Sequence, residues 1–105
     1  MRFILTKPAR EDLEETSSYY ESQSSGLGHQ FVQRFEETIE KILERPESWP
    51  KYFSKTRLCT FNQFDYGIVY RLVNETIYVF GVISLIRKPA YWVKRLKGFE
   101  PKTEE

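Results

Sequence analysis

The chain has 105 residues, 40% of them hydrophobic, which suits one domain with one core; sixteen Lys and Arg against fifteen Asp and Glu leave a net charge of +1. Cys59 is the only cysteine and no stretch approaches the roughly 20 apolar residues of a membrane helix, so a disulfide scaffold, an exported protein and a membrane protein are set aside and a cytoplasmic protein is expected. The charge is uneven: residues 1–48 hold six Lys or Arg against ten Asp or Glu, a balance of −4, and residues 49–105 hold ten against five, a balance of +5. Either the C-terminal half faces an anionic partner, nucleic acid or an acidic protein surface, or the two halves neutralise each other within one fold.

In chain order, Phe3 to Leu5 predicts a short first strand, closed by Thr6 and Pro8. Proline suits the first turn of a helix, where its missing N–H would have no partner. Ala9, Leu13, Thr16 and Tyr20 then recur at helical spacing, with Glu11, Asp12, Glu14 and Glu15 crowding the early turns. Serines and two glycines over Ser22 to Gly28 break that helix, and Phe31, Phe35, Ile39, Ile42 and Leu43 mark one stripe of a second one from about Gly28 to Glu44, with Gln33, Glu36, Glu37, Glu40 and Lys41 on the other face. Two helices so joined form an antiparallel hairpin. Pro46 and Pro50 punctuate a loop, after which the period changes to two. Arg57 to Phe61, Tyr66 to Val73 and Ile77 to Ile86 read as three strands, with a tight turn at Asn74-Glu75 and a bulge or close backbone approach at Gly81. Pro89 ends the last strand, a short helix over 89–97 follows, and residues 99–105 form a frayed tail. The sum is an α+β domain over 1–98, β-α-α-β-β-β, with the helical hairpin packed on an antiparallel sheet.

The residues that could carry chemistry are few. His29 is the only histidine, and with no cysteine or carboxylate at ligand spacing it is read as a solvent-facing helix residue, so no metal and no cofactor are expected. Cys59 sits in a strand and is read as a small core residue. Arg57 and Arg71 fall in strands, where structural pairing and function are equally open. Lys88, Tyr91, Trp92, Lys94 and Arg95 interleave cations with aromatics, a composition suited to phosphate contact and base stacking. Against that, rings as large as Tyr91 and Trp92 commonly pack a terminal segment onto a sheet.

Four local patterns, in order, resemble those of the RelE/ParE toxin superfamily. Pro8-Ala9, Asp12-Leu13 and Tyr19-Tyr20 resemble the opening of the first helix in its ParE branch; Gly26-Leu27-Gly28, Phe31, Pro46 and Pro50 match the spacing that follows. Arg57 with Phe64 to Arg71 resembles the central strands, and Arg87, Pro89, Trp92 and Arg95 the closing motif. The likeness runs from Phe3 to Arg95. It implies a growth-inhibiting toxin of a type II toxin-antitoxin, plasmid-stabilising pair, held inactive by a cognate antitoxin that folds onto it and contacts operator DNA itself. The ParE branch implies an interaction module that poisons DNA gyrase, with Arg87, Lys88, Trp92, Lys94 and Arg95 facing the target. The alternatives are a ribosome-dependent mRNA endoribonuclease, in which Arg57, Arg87 and Tyr91 would be catalytic, and a degenerate toxin that retains only antitoxin binding. Two departures bear on activity: Ser84 stands where the ParE-like closing motif usually begins with histidine, and Gly67 where the RNase branch carries a phosphate-binding arginine. The antitoxin is expected in a groove between the hairpin and the sheet, on exposed aromatics among Tyr19, Tyr20, Phe31 and Phe35.

Overall fold

The computed structural model describes residues 1–87 and 90–96, with Ala90 and Tyr91 placed by backbone alone. Strand β1 spans Arg2–Leu5, helix α1 Lys7–Gln23 and helix α2 Leu27–Glu44. Strands β2 (Arg57–Thr60), β3 (Tyr66–Val73) and β4 (Thr76–Ser84) follow, and a four-residue helix α3 (Ala90–Val93) runs into a 3-10 turn over Lys94–Leu96. The order of elements is the one the periodicity predicts; the expected tail, 99–105, lies outside the described residues.

Strands β2, β3 and β4 form the antiparallel meander, while β1 joins β4 in parallel, so the sheet is mixed with order β1-β4-β3-β2. The parallel pair is possible because a long crossover, which contains both helices, separates the two strands. Thr6 makes the corner between β1 and α1: its backbone N–H and its hydroxyl both donate to Val79 O, at 3.1 and 2.8 Å, while the same hydroxyl oxygen accepts from Ala9 N at 3.4 Å as an N-cap.

The two glycines between the helices have separate duties. Gly26 takes a left-handed φ of +86° at the start of α2. At Gly28 the helices touch, and a Cβ there would lie 2.3 Å from Ser17 O. The Glu21 carboxylate accepts from the backbone N–H groups of Gly26 (2.9 Å) and Gly28 (3.0 Å), serving as a cap for α2 supplied from α1. Those two N–H groups, Gly26 first, hold the Glu21 carboxyl below the usual carboxylate range.

Phe31, Phe35, Ile39 and Ile42 of α2 pack with Ala9 of α1 against Ile68, Tyr70, Ile77 and Val79, forming the main core on one face of the sheet. Burying each such side chain contributes about 1.5–3 kcal/mol. Tyr70 is fully buried and its hydroxyl donates to Pro46 O at 2.6 Å, tying the loop after α2 to the central strand. Burial drives the Tyr70 phenol strongly upward, with Cys59 adding to the rise and Arg57 opposing it.

The other face of the sheet is covered too. Val69, Ile83 and Trp92 form a second cluster, with Tyr52 and Leu58 against it, so β3 is buried at four consecutive positions, Gly67 to Tyr70, rather than at alternate ones. Trp92 is 0% exposed and stacks on Tyr52 at 5.6 Å. Among the described residues its indole N–H has no acceptor, and the ring contributes buried area to this cluster.

Phe80 is the extra residue of a bulge, since Val69 pairs with Gly81 and Tyr70 with Val79. Just there β1 has ended, and side chains complete β4. Asp12 Oδ2 accepts from Val82 N at 3.0 Å and Arg95 Nη1 donates to Phe80 O at 3.1 Å. The two side chains also form a two-pronged ion pair, Nη1 to Oδ2 at 2.6 Å and Nη2 to Oδ1 at 3.0 Å. Gly81 leaves room for it: a Cβ at that position would lie 2.9 Å from Arg95 Nη1. The turn between β3 and β4 holds Asn74 at φ +48° and Glu75 at φ +67°, the two left-handed residues of a type I′ hairpin turn.

Candidate functional site

A cleft of about 740 Å³ opens where the C-terminal turns of α1 meet the ends of β3 and β4. Tyr19 and Tyr20 line it from the helical side, and Tyr66, Ser84, Ile86 and Arg87 from the sheet. The strand register brings the far wall together, because Tyr66 pairs with Ser84 and Leu85 N donates to Asp65 O at 2.9 Å. Tyr20 links wall to core: its ring stacks on Phe31 at 5.5 Å, lies 4.9 Å from Phe64 and meets Tyr66 edge-on at 6.3 Å. Partial burial, followed by the neighbouring Tyr66, Tyr19 and Asp65, raises the Tyr20 phenol, so it stays a neutral donor and acceptor. Ile86, 84% exposed, puts an apolar side chain on the rim next to Arg87. The cleft thus combines rings, phenols, one aliphatic rim residue and a cation, a mixture of groups common in recognition surfaces.

The expected antitoxin-binding aromatics divide. Tyr19 is 58% exposed and Tyr20 half-buried, both in the cleft, whereas Phe31 at 0% and Phe35 at 5% are core residues. The correction has a plain cause: Phe31 and Phe35 lie on the stripe of α2 that faces the sheet, so they cannot meet a partner. Trp92 is likewise corrected, since its ring fills the second cluster and offers no face for stacking on a target. Arg95 is engaged by Asp12 and Phe80 O, its side chain 21% exposed, so the fold already accounts for it. Lys94 and Arg87 are exposed. Lys88 and the side chain of Tyr91 lie outside the described residues.

Of the residues that would form a ribonuclease site, Arg57 and Arg87 line separate cavities, and the side chain of Tyr91 lies outside the described residues. Arg57 opens β2 beside Tyr70, and Arg87 follows the end of β4, whose Ser84 lies beside Tyr66. The run from Tyr70 to Tyr66 alone spans about 13 Å at roughly 3.3 Å per residue, so Arg57 and Arg87 border different cavities. Position 67 faces the other side of the sheet, where a Cβ would meet Leu58 Cδ1 at 2.7 Å, so Gly67 is fixed by packing against β2. Ser84 is buried and its hydroxyl oxygen accepts from Ile86 N at 3.3 Å. Cys59 is 1% exposed, and burial pushes its thiol up to about 11, which suits a core residue and not a nucleophile. His29 is exposed on α2. Among the described residues no group of three or more His, Cys, Asp or Glu could hold a metal, and no helix is long and apolar enough to cross a membrane.

What sequence reasoning missed is the cleft's sheet wall. Ser84 and Ile86 fall in the strand expected over 77–86, which ends at Ser84, but only strand register brings them beside Asp65 and Tyr66.

The fold is thus a small mixed sheet with a helical hairpin on one face and, where the two meet, a cleft lined by aromatic rings and a cation. A solved chain described as "Chromosomal ParDE TA system from P. aeruginosa" has the same fold: TM-score 0.69, 16% identity, 81% of this chain and 96% of that one covered. No curated protein sequence matches significantly. Residues 3–85 match the family described as ParE toxin of type II toxin-antitoxin system, parDE, and the chain belongs to that family.

Proposed function

We propose that this protein is the growth-arresting toxin of a type II pair, that it acts by binding DNA gyrase and not by cutting RNA, and that a cognate antitoxin neutralises it. The observation that carries the choice between targets is the separation of Arg57 from Arg87. Cleavage of RNA at its own 2′-hydroxyl needs cations and an acid–base pair around one phosphate, and Arg57 and Arg87 line separate cavities. An interaction module has no such requirement. The charge layout supports the same reading: the two helices hold four Lys or Arg against nine Asp or Glu, which leaves the basic residues to the opposite side and the C-terminal segment.

The antitoxin's disordered segment folds into the cleft between hairpin and sheet, its apolar residues against Tyr19, Tyr20 and Ile86 and an acidic group toward Arg87. Tyr19→Ala leaves the core untouched and weakens antitoxin binding about tenfold or more, as removal of an interface tyrosine commonly does. The deciding test is induction without antitoxin, following DNA and protein synthesis on one time course, together with a gyrase supercoiling assay on the purified chain. Early loss of DNA synthesis with inhibited supercoiling is expected. Active supercoiling with mRNA cleavage abolished by Arg87→Ala would transfer the reading to the endoribonuclease, and normal growth would leave a degenerate toxin.

A further inference from the structure

At the other end of β2 from the cleft, a pocket of about 220 Å³ is lined by Lys51, Ser54, Lys55, Thr56 and Arg57. Three of its five residues are cations and none is acidic. Among the described residues the only ion pairs are Arg34–Glu37 and Arg95–Asp12, so none of these three cations has a carboxylate partner. One nitrogen of Arg57, Nη1, donates to Trp49 O at 2.7 Å, which fixes the guanidinium and leaves Nε and Nη2 without a hydrogen bond to the described residues. Like charges gathered on one concavity repel each other, and the arrangement becomes favourable when an anion joins them.

The backbone around the pocket is held in place. Tyr52 N donates to Thr56 O at 2.8 Å, Thr56 N to Phe53 O at 2.9 Å, and the Thr56 hydroxyl also to Phe53 O. At the tip of this turn Ser54 has a left-handed φ of +54°, a conformation that disfavours side chains other than glycine. Beside it Phe53 is 43% exposed, yet its ring is braced edge-on by Tyr52 at 5.1 Å and by Trp92 at 6.0 Å. A rigid exposed ring next to a cationic pocket is the pairing that binds unstacked bases and their backbone.

We propose that this pocket seats a backbone phosphate of single-stranded nucleic acid, with Lys51, Lys55 and Arg57 on the phosphate oxygens and Phe53 under an adjacent base. The seat binds without cleaving, and it does not depend on which macromolecule the toxin arrests, because it is tested on nucleic acid alone. At about 220 Å³ the pocket has room for one phosphate group and is smaller than the roughly 300 Å³ or more that a drug-sized ligand needs.

The test is fluorescence anisotropy of a labelled oligo-dT with the full chain over a range of salt concentrations. Lys51→Ala/Lys55→Ala removes only exposed side chains, and its melting temperature is checked against wild type. It should weaken binding about tenfold and flatten the log–log salt dependence by about 0.7, the contribution of one single-strand phosphate contact. Phe53→Ala should weaken binding about fivefold or more, with the salt slope unchanged. The charge-matched control Arg2→Ala/Lys7→Ala should bind as wild type does. Equal binding by Lys51→Ala/Lys55→Ala and wild type, or an equal loss in the control, overturns the proposal in favour of diffuse charge. Displacement of the oligonucleotide by inorganic phosphate, with no effect of Phe53→Ala, overturns it in favour of a small-anion site.

Discussion

Removing Asp12 tests whether Arg95 serves the fold or a partner. In Asp12→Ala the N–H of Val82 loses its acceptor and the Arg95 guanidinium loses both oxygens, in surroundings where the two side chains are only 15% and 21% exposed. An orphaned N–H costs about 1–3 kcal/mol and breaking a buried ion pair from one side about 3–5 kcal/mol; with part of the pair reached by water, a total of about 3 kcal/mol is expected. At roughly 4 °C per kcal/mol the melting temperature falls by about 12 °C. Arg95→Ala leaves Asp12 bonded to Val82 and should cost less, about 2 kcal/mol, since a carboxylate near the surface is partly resolvated. The double variant should again lose about 3 kcal/mol, a coupling of about 2 kcal/mol. Urea titrations followed by tryptophan fluorescence and circular dichroism measure all four corners of the cycle. Additive losses would refute the stitch. So would an Arg95→Ala protein of unchanged stability that no longer arrests growth, because Arg95 would then be contacting the target.

Gly28→Ala should destabilise the protein by about 1–2 kcal/mol despite alanine's better helix propensity, because the 2.3 Å approach to Ser17 O forces the helices apart; equal or higher stability in a thermal melt would show that the contact yields freely. Glu75→Gly should raise stability by about 0.5 kcal/mol, since glycine relieves the left-handed φ of +67° at some loss of chain entropy, and a lower urea midpoint would contradict the turn assignment. The lowered carboxyl of Glu21 makes a pH prediction: its contribution is complete above the unfolded value near roughly 4.3 and disappears as pH falls through the folded value. Wild type should therefore melt above Glu21→Gln at neutral pH and converge with it in acid, and a gap independent of pH would rule out the charged cap.

The order of elements was readable in the chain because helix and strand periods are local: the α2 stripe of Phe31, Phe35 and Ile39, the change of period after Pro50, and the turn at Asn74-Glu75 each need only a few neighbours. The importance of Gly26, Gly28 and Gly81 was legible in the same way, although their reasons were not. Pairing is not local. That β1 lies parallel to β4, that Asp12 meets Arg95 across 83 positions, and that Arg57 and Arg87 face different cavities follow only from how the strands pair and the helices pack on them. Burial of Trp92, Phe31 and Phe35 was likewise a tertiary outcome, since an aromatic residue is equally fit for a core or for an interface until a second layer covers it. The sequence by itself determined the elements and the charge imbalance of the two halves, because propensity and composition act along the chain. The tertiary structure decided which side chains remain available to a partner, because availability is what remains after the sheet has been covered on both faces.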